Sequence, residues 1–171
     1  MAPIPPLLQA HLVVVDSNVL IDLAAQENRV WEAVEVLREK VEGCRLIVFP
    51  IVLNEVRNIA SNDMRPEVRG YANDALAHMF KKWGMCPEYV PLEIAFAIGQ
   101  ELRDRQLIPY EERNDAGILA SAALFGAGKL LTRNWHLLNV EQARAELLVL
   151  DRHNLKCPLI MAPDIVRKAL R

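Results

Sequence analysis

Three acids stand at chain junctions of one kind. Asp16 closes the apolar run Leu12-Val13-Val14-Val15 and opens the stretch Asp-Ser-Asn-Val-Leu-Ile-Asp-Leu. Glu55 lies just inside the helical pattern that follows Leu46-Ile47-Val48-Phe49. Asp115 sits near the start of a run of small residues, Ala116-Gly117-Ile118-Leu119-Ala120-Ser121-Ala122-Ala123. A fourth junction follows Lys129-Leu130-Leu131-Thr132, but it reads Arg133-Asn134 and brings no acid. In a parallel α/β sheet, strand ends and helix starts meet on one edge. Acids that converge there without basic partners repel one another unless a cation lies between them. The chemistry this pattern implies is therefore that of a divalent-metal site.

Taken singly, each acid has an ordinary explanation. Asp16 suits a helix N-cap, and Glu55 suits the early turns of a helix through the macrodipole. Asp115 heads a helix whose small residues imply close packing all round, where a carboxylate needs a cap role or a cation. Ser17 and Asn18 are near enough to hydrogen-bond Asp16 or a metal-bound water. Asp22 reads as exposed or structural, Glu112 as a minor addition to the Asp115 face, and His136 as a loop histidine. Gly126-Ala127-Gly128-Lys129 lacks the spacing of a phosphate loop and reads as a helix C-cap and turn.

The elements that must position these residues alternate between strand and helix. Strands are expected at residues 12–15, 45–49, 129–132 and 146–150, with a short one at Tyr89-Val90. Helices are expected at residues 19–25, 30–41, 50–60, 67–83 and 92–106, then in a segment ending near Gly126, and at 163–170. Gly43 and Gly84 serve as stops, and Pro50 fits a first helical turn. Such alternation predicts a three-layer α/β/α fold around a central, mostly parallel sheet. No repeat or linker interrupts it, so residues 1–171 are expected to form one domain.

Composition narrows the function classes. The chain has 171 residues, is 52% hydrophobic and carries a formal net charge of −2, which fits a compact core and excludes a strongly basic nucleic-acid coat. Cys44, Cys86 and Cys157 form no C-x-x-C pair, and the histidines form no H-E-x-x-H. Zinc-knuckle and dithiol chemistry are thereby unsupported. Residues 1–10 lack the features of a signal peptide, and no apolar stretch would span a bilayer. A cytoplasmic location without a membrane partner is expected. Residues 30–41 and 67–83 carry Trp31, Met79 and Trp83. These either pack in the core or form the face of an expected homodimer or a groove for a partner protein.

Together these segments resemble the PIN domain of metal-dependent nucleases. The resemblance rests on Val15-Asp16-Ser17-Asn18-Val19-Leu20, the early-helix Glu55, and Asn114-Asp115 with its small-residue helix. It continues through Lys129-Leu130-Leu131-Thr132-Arg133-Asn134 and the closing Met161-Ala162-Pro163-Asp164-Ile165-Val166. Small bacterial members include the VapC-like ribonuclease toxins of toxin–antitoxin pairs; this chain is longer, mainly between Asn62 and Gln106. The resemblance implies that Asp16, Glu55 and Asp115 hold Mg²⁺ or Mn²⁺ and that RNA is cut by hydrolysis. Asn134 stands near the position of the family's fourth acid and is read as a catalytic residue. Asn18, Arg113, Thr132 and Arg133 are read as substrate contacts. Loss of the fourth acid leaves an alternative: a weakened module that binds RNA or a partner protein without cutting. A haloacid-dehalogenase type of phosphoryl enzyme is disfavoured, because its D-x-D pair would need an acid at Asn18.

Overall fold

The structure, a computed structural model, describes residues 8–170; the first seven residues of the N-terminal stretch read above lie outside it. Five parallel strands form one sheet in the order β3-β2-β1-β4-β5. They are β1 (Gln9–Val15), β2 (Arg45–Val48), β3 (Cys86–Pro87), β4 (Ala127–Leu131) and β5 (Leu159–Met161). The helices are α1 (Ser17–Ala24), α2 (Asn28–Lys40), α3 (Pro50–Asn62), α4 (Pro66–His78), α5 (Leu92–Asp104) and α6 (Arg113–Phe125). After β4 come α7 (Trp135–Leu138), α8 (Gln142–Leu148), a 3₁₀ turn (Leu150–His153) and α9 (Pro163–Ala169). This is an α/β fold with an all-parallel sheet flanked by helices, as the alternation implied.

The central strand explains the apolar run. Val13, Val14 and Val15 are fully buried, as expected where helices cover both sheet faces. Burying each such side chain contributes about 1.5–3 kcal/mol relative to leaving it in water. The strand is thereby pinned in register, Val15 beside Leu131, and Asp16 N–H continues the ladder to the Leu131 carbonyl at 3.0 Å. From β1 the chain builds outward through β2 and β3, then returns to place β4 on the opposite side of β1. The switch point of the topology is the gap between the ends of β1 and β4, the place where open α/β sheets form their clefts.

Two strand expectations are corrected. The edge strand is Cys86–Pro87, paired with Ile47 and Val48, while Tyr89-Val90 follows it outside the sheet. Residues 146–150 are helix and 3₁₀ turn; Ala145, Val149 and Leu150 are buried at helical spacing. The fifth strand is the short apolar run between Pro158 and Pro163. The helix expected over residues 67–83 stops at His78, and Gly84 takes φ +65° after the turn.

Of the two readings of Trp31, Met79 and Trp83, the structure supports core packing. Met79 is fully buried and Trp83 is 6% exposed. Trp83 meets Trp31 edge to face at 5.7 Å, so these residues form core packing, not a free surface. Elsewhere, close helix packing depends on small residues. A Cβ at Gly99 of α5 would lie 3.1 Å from the Ala116 carbonyl carbon of α6. That approach fixes α6, and with it Asp115, against its neighbours.

Candidate active site

Four helix starts surround the switch point. Asp16 is the N-cap of α1, Asp115 lies in the first turn of α6, and Asn134 is the N-cap of α7. Glu55 sits further along, in the second turn of α3, which Pro50 begins. The sequence reading placed these residues at one edge, and the fold brings Asp16, Glu55 and Asp115 within electrostatic reach of one another.

Asp16 is 2% exposed and held from both oxygens. Its Oδ1 accepts the Ser17 backbone N–H at 2.7 Å, and its Oδ2 accepts the Thr132 hydroxyl at 2.7 Å and the Asn18 amide at 3.4 Å. Burial raises its pKa, while the bonds from Thr132, Ser17 and Asn18 pull it back. Thr132 is itself fully buried and also accepts the Asn134 backbone N–H at 2.9 Å. This corrects the reading of Thr132 as a substrate contact: its hydroxyl fixes the rotamer of Asp16.

Glu55 and Asp115 are perturbed in the same direction. The Glu55 carboxyl is pushed up to about 7, first by burial and then by the negative fields of Asp16 and Glu112, against a bond from Ser17. Asp115, 5% exposed, is also pushed up to about 7. Burial leads there again, followed by Asp16, Glu112 and Glu55, with the Asn134 donor opposing. Glu55 Oε2 is buried and has no hydrogen-bond partner. Glu112 adds a fourth acid, with one oxygen 3.2 Å from His136 Nε2.

Asn134 has a defined orientation. Its Oδ1 accepts the His136 backbone N–H at 3.0 Å, and its Nδ2 donates to Asp115 Oδ2 at 2.8 Å. A backbone N–H can only donate and an ionised carboxylate can only accept, so the two bonds fix the amide. Its carbonyl therefore caps α7. Asn134 thus reaches the site as a neutral donor to Asp115.

The remaining expected contacts are engaged with protein. Asn18 Oδ1 accepts the Arg133 backbone N–H at 3.0 Å, tying α1 to the loop after β4. The Arg133 guanidinium pairs with Asp22. The Arg113 guanidinium lies 4.7 Å over the Phe96 ring centroid. The sequence reading passed over Phe96 and the pocket beside Glu55; the only available signal was an aromatic one turn inside α5.

A divalent cation is tested by the donors on offer. The acids present hard carboxylate oxygens, one of them buried and unpartnered, and that set suits Mg²⁺ or Mn²⁺. Among the described residues, however, no three Asp, Glu, His or Cys side chains form a ready metal-holding group. The acids share a field without forming a closed ligand cage.

No family model matches the chain, and no curated protein matches it. A solved structure does: a chain of VapBC2 from Rickettsia felis bound to a DNA fragment from their promoter superposes with a TM-score of 0.60. The two are 15% identical, and the match covers 88% of this chain and 98% of that one. At that identity the likeness is one of fold alone.

Proposed function

We propose that this chain is a divalent-metal-dependent ribonuclease of the toxin type. The observation that carries the reading is the buried, unpartnered Glu55 Oε2 among acids with no cation of their own. Uncompensated acids at a switch point are costly for the fold to maintain unless they act on a ligand. Asp16, Glu55 and Asp115 would hold Mg²⁺ or Mn²⁺, which when bound supplies charge stabilisation at phosphate and an acidic water. Asp16 is held for that task by Thr132 and Ser17, and Asp115 by Asn134. Glu112 lies near enough to add to their field.

The likeness to a chain of VapBC2 supports a protein partner of the antitoxin kind; RNA as substrate follows from the sequence resemblance to PIN nucleases. A homodimer remains part of the reading, on a surface other than Trp31, Met79 and Trp83. Among the described residues no helix is long and apolar enough to cross a membrane, which agrees with a cytoplasmic role. One domain over residues 1–171 is the simplest organisation.

A second reading is a module that binds RNA or a partner protein without cutting. It is favoured by Asn134 standing where a charge is expected and by the open arrangement of the acids. Incubation with a broad RNA panel and Mn²⁺ separates the two. Cleavage that needs the metal and disappears in Asp16→Asn supports the nuclease. No cleavage of any RNA, with RNA binding unaltered by Asp16→Asn, moves the conclusion to the binder.

A further inference from the structure

Next to the acids lies a pocket of about 270 Å³, lined by Ile51, Asn54, Glu55, Asn58, Leu92, Phe96 and Asn114. Glu55 belongs to both the acid cluster and this pocket. We propose that the pocket seats one unpaired nucleobase of the RNA strand and so sets where the strand is cut; this rests on the nuclease reading of the adjoining acids.

Four observations point to a base. The volume is just below the roughly 300–1,000 Å³ of sites for drug-sized ligands, which suits a single planar ring system. Among the described residues the only charged one lining it is Glu55, which repels phosphate and favours the neutral part of a nucleotide. Its walls combine an aromatic ring with amides, matching the π face and the polar edge of a base. The Asn54 and Asn58 carbonyls already accept from Arg57 at 3.3 Å and Asn62 at 2.7 Å, which leaves their amide N–H groups to donate. An apolar protein side chain would use Ile51 and Phe96 but leave these amides unpaired.

The floor of the pocket is set from beneath. A Cβ at Gly117 of α6 would come within 2.9 Å of Ile51 Cδ1 and 3.0 Å of Phe96 Cε1. Glycine therefore lets both residues settle against the helix that carries Asp115. Arg113 over Phe96 holds the ring and places a positive charge beside the path of the strand. Helices α3 and α6 contribute to both the base seat and the acids, α3 through Asn54, Asn58 and Glu55 and α6 through Asn114 and Asp115, which couples a seated base to the phosphate at the acids.

The test measures fluorescence anisotropy of short single-stranded RNAs with Ca²⁺. Homopolymeric strands of each base are compared with an abasic strand carrying the same phosphates. Wild-type protein is expected to bind at least one base type on the order of tenfold more tightly than the abasic strand, the size of one base–aromatic stack. Phe96→Ala should close that gap. Asn58→Ala with Asn114→Ala, both at exposed positions, should narrow it and shift base preference without threatening the core. Equal affinity for abasic and base-bearing strands overturns the proposal, as does a gap that survives in both variants. Cleavage of the RNA panel with Mn²⁺, measured in parallel, separates this failure from failure of the nuclease reading. Cutting with no Phe96-dependent gap removes the base seat alone; a Phe96-dependent gap without cutting keeps the base seat and removes the nuclease.

Discussion

Two groups of acids in this molecule meet opposite fates. Glu101 accepts from Arg152 at 2.5 Å and lies 3.0 Å from His153 Nε2. Burial alone would raise its pKa, but the two bases outweigh that and hold the carboxyl below its ordinary value. Asp63, clamped by Arg65, is pushed down to about 2. Glu55 and Asp115 are pushed the other way, to about 7, because burial and neighbouring acids act together and no base among the described residues reaches them. The chain has enough arginine and lysine to pair these acids, and the guanidiniums nearest to them in sequence are spent elsewhere, Arg57 on Asn54 and Arg113 on Phe96. The lesson is that charge compensation is local: a fold that satisfies its surface acids can leave its cleft acids for a ligand.

The contrast can be broken most forcefully at Asp16. Asp16→Asn should lower Mn²⁺-dependent RNA cleavage by more than about 100-fold, beyond the usual effect of residues that only support a metal ligand. A rate within a few-fold of wild type would refute its assignment. Thr132→Val removes the donor to a buried carboxylate. Cleavage should fall about 10- to 100-fold, with about 1–3 kcal/mol lost in urea unfolding.

The pH dependence sharpens the contrast. Glu55 and Asp115 have folded pKa values of about 7, above their ordinary 4.5 and 3.8. Their protonated forms favour the fold, so this contribution is complete below about pH 4 and is lost as pH rises through about 7. Metal-free protein should therefore melt at a lower temperature at pH 8 than at pH 5. Because cations bind the ionised acids, Mn²⁺ should raise Tm at pH 8 and have little effect at pH 5. Equal Mn²⁺ shifts at both pH values would count against the acids as its site.

Asn134→Asp replaces the donor to Asp115 with a like charge. Metal-free Tm at pH 8 should drop, and the Mn²⁺-induced gain should exceed that of wild type; calorimetry with and without the ion reads both. The smallest effect is expected at the compensated group. Glu101→Gln should change stability by less than about 1 kcal/mol and leave Mn²⁺ binding as it was, since the bridge is largely solvent-exposed.

The strands that frame the site were legible because the runs Leu12-Val13-Val14-Val15 and Leu130-Leu131 are apolar on every residue, as a doubly covered sheet requires. The edge strands were not. Cys86–Pro87 is two residues long, and Glu146-Leu147-Leu148-Val149-Leu150 has an apolar density that suits either period. The three acids were legible as junction residues. The locking of Thr132 beneath Asp16 was not, because it links side chains 116 positions apart. Nor was the role of Asn134, whose amide is oriented only once α7 and α6 are in place.

The sequence by itself determined that acids would stand at strand ends and helix starts, because local periodicity and capping chemistry place those junctions. Tertiary structure alone decided which of them face one another and which acids find a base. It also decided that Trp31, Met79 and Trp83 would close into the core and that a pocket would open beside Glu55. The physical reason is range: periodicity acts over a few residues, whereas burial and Coulomb fields depend on what packs across the sheet.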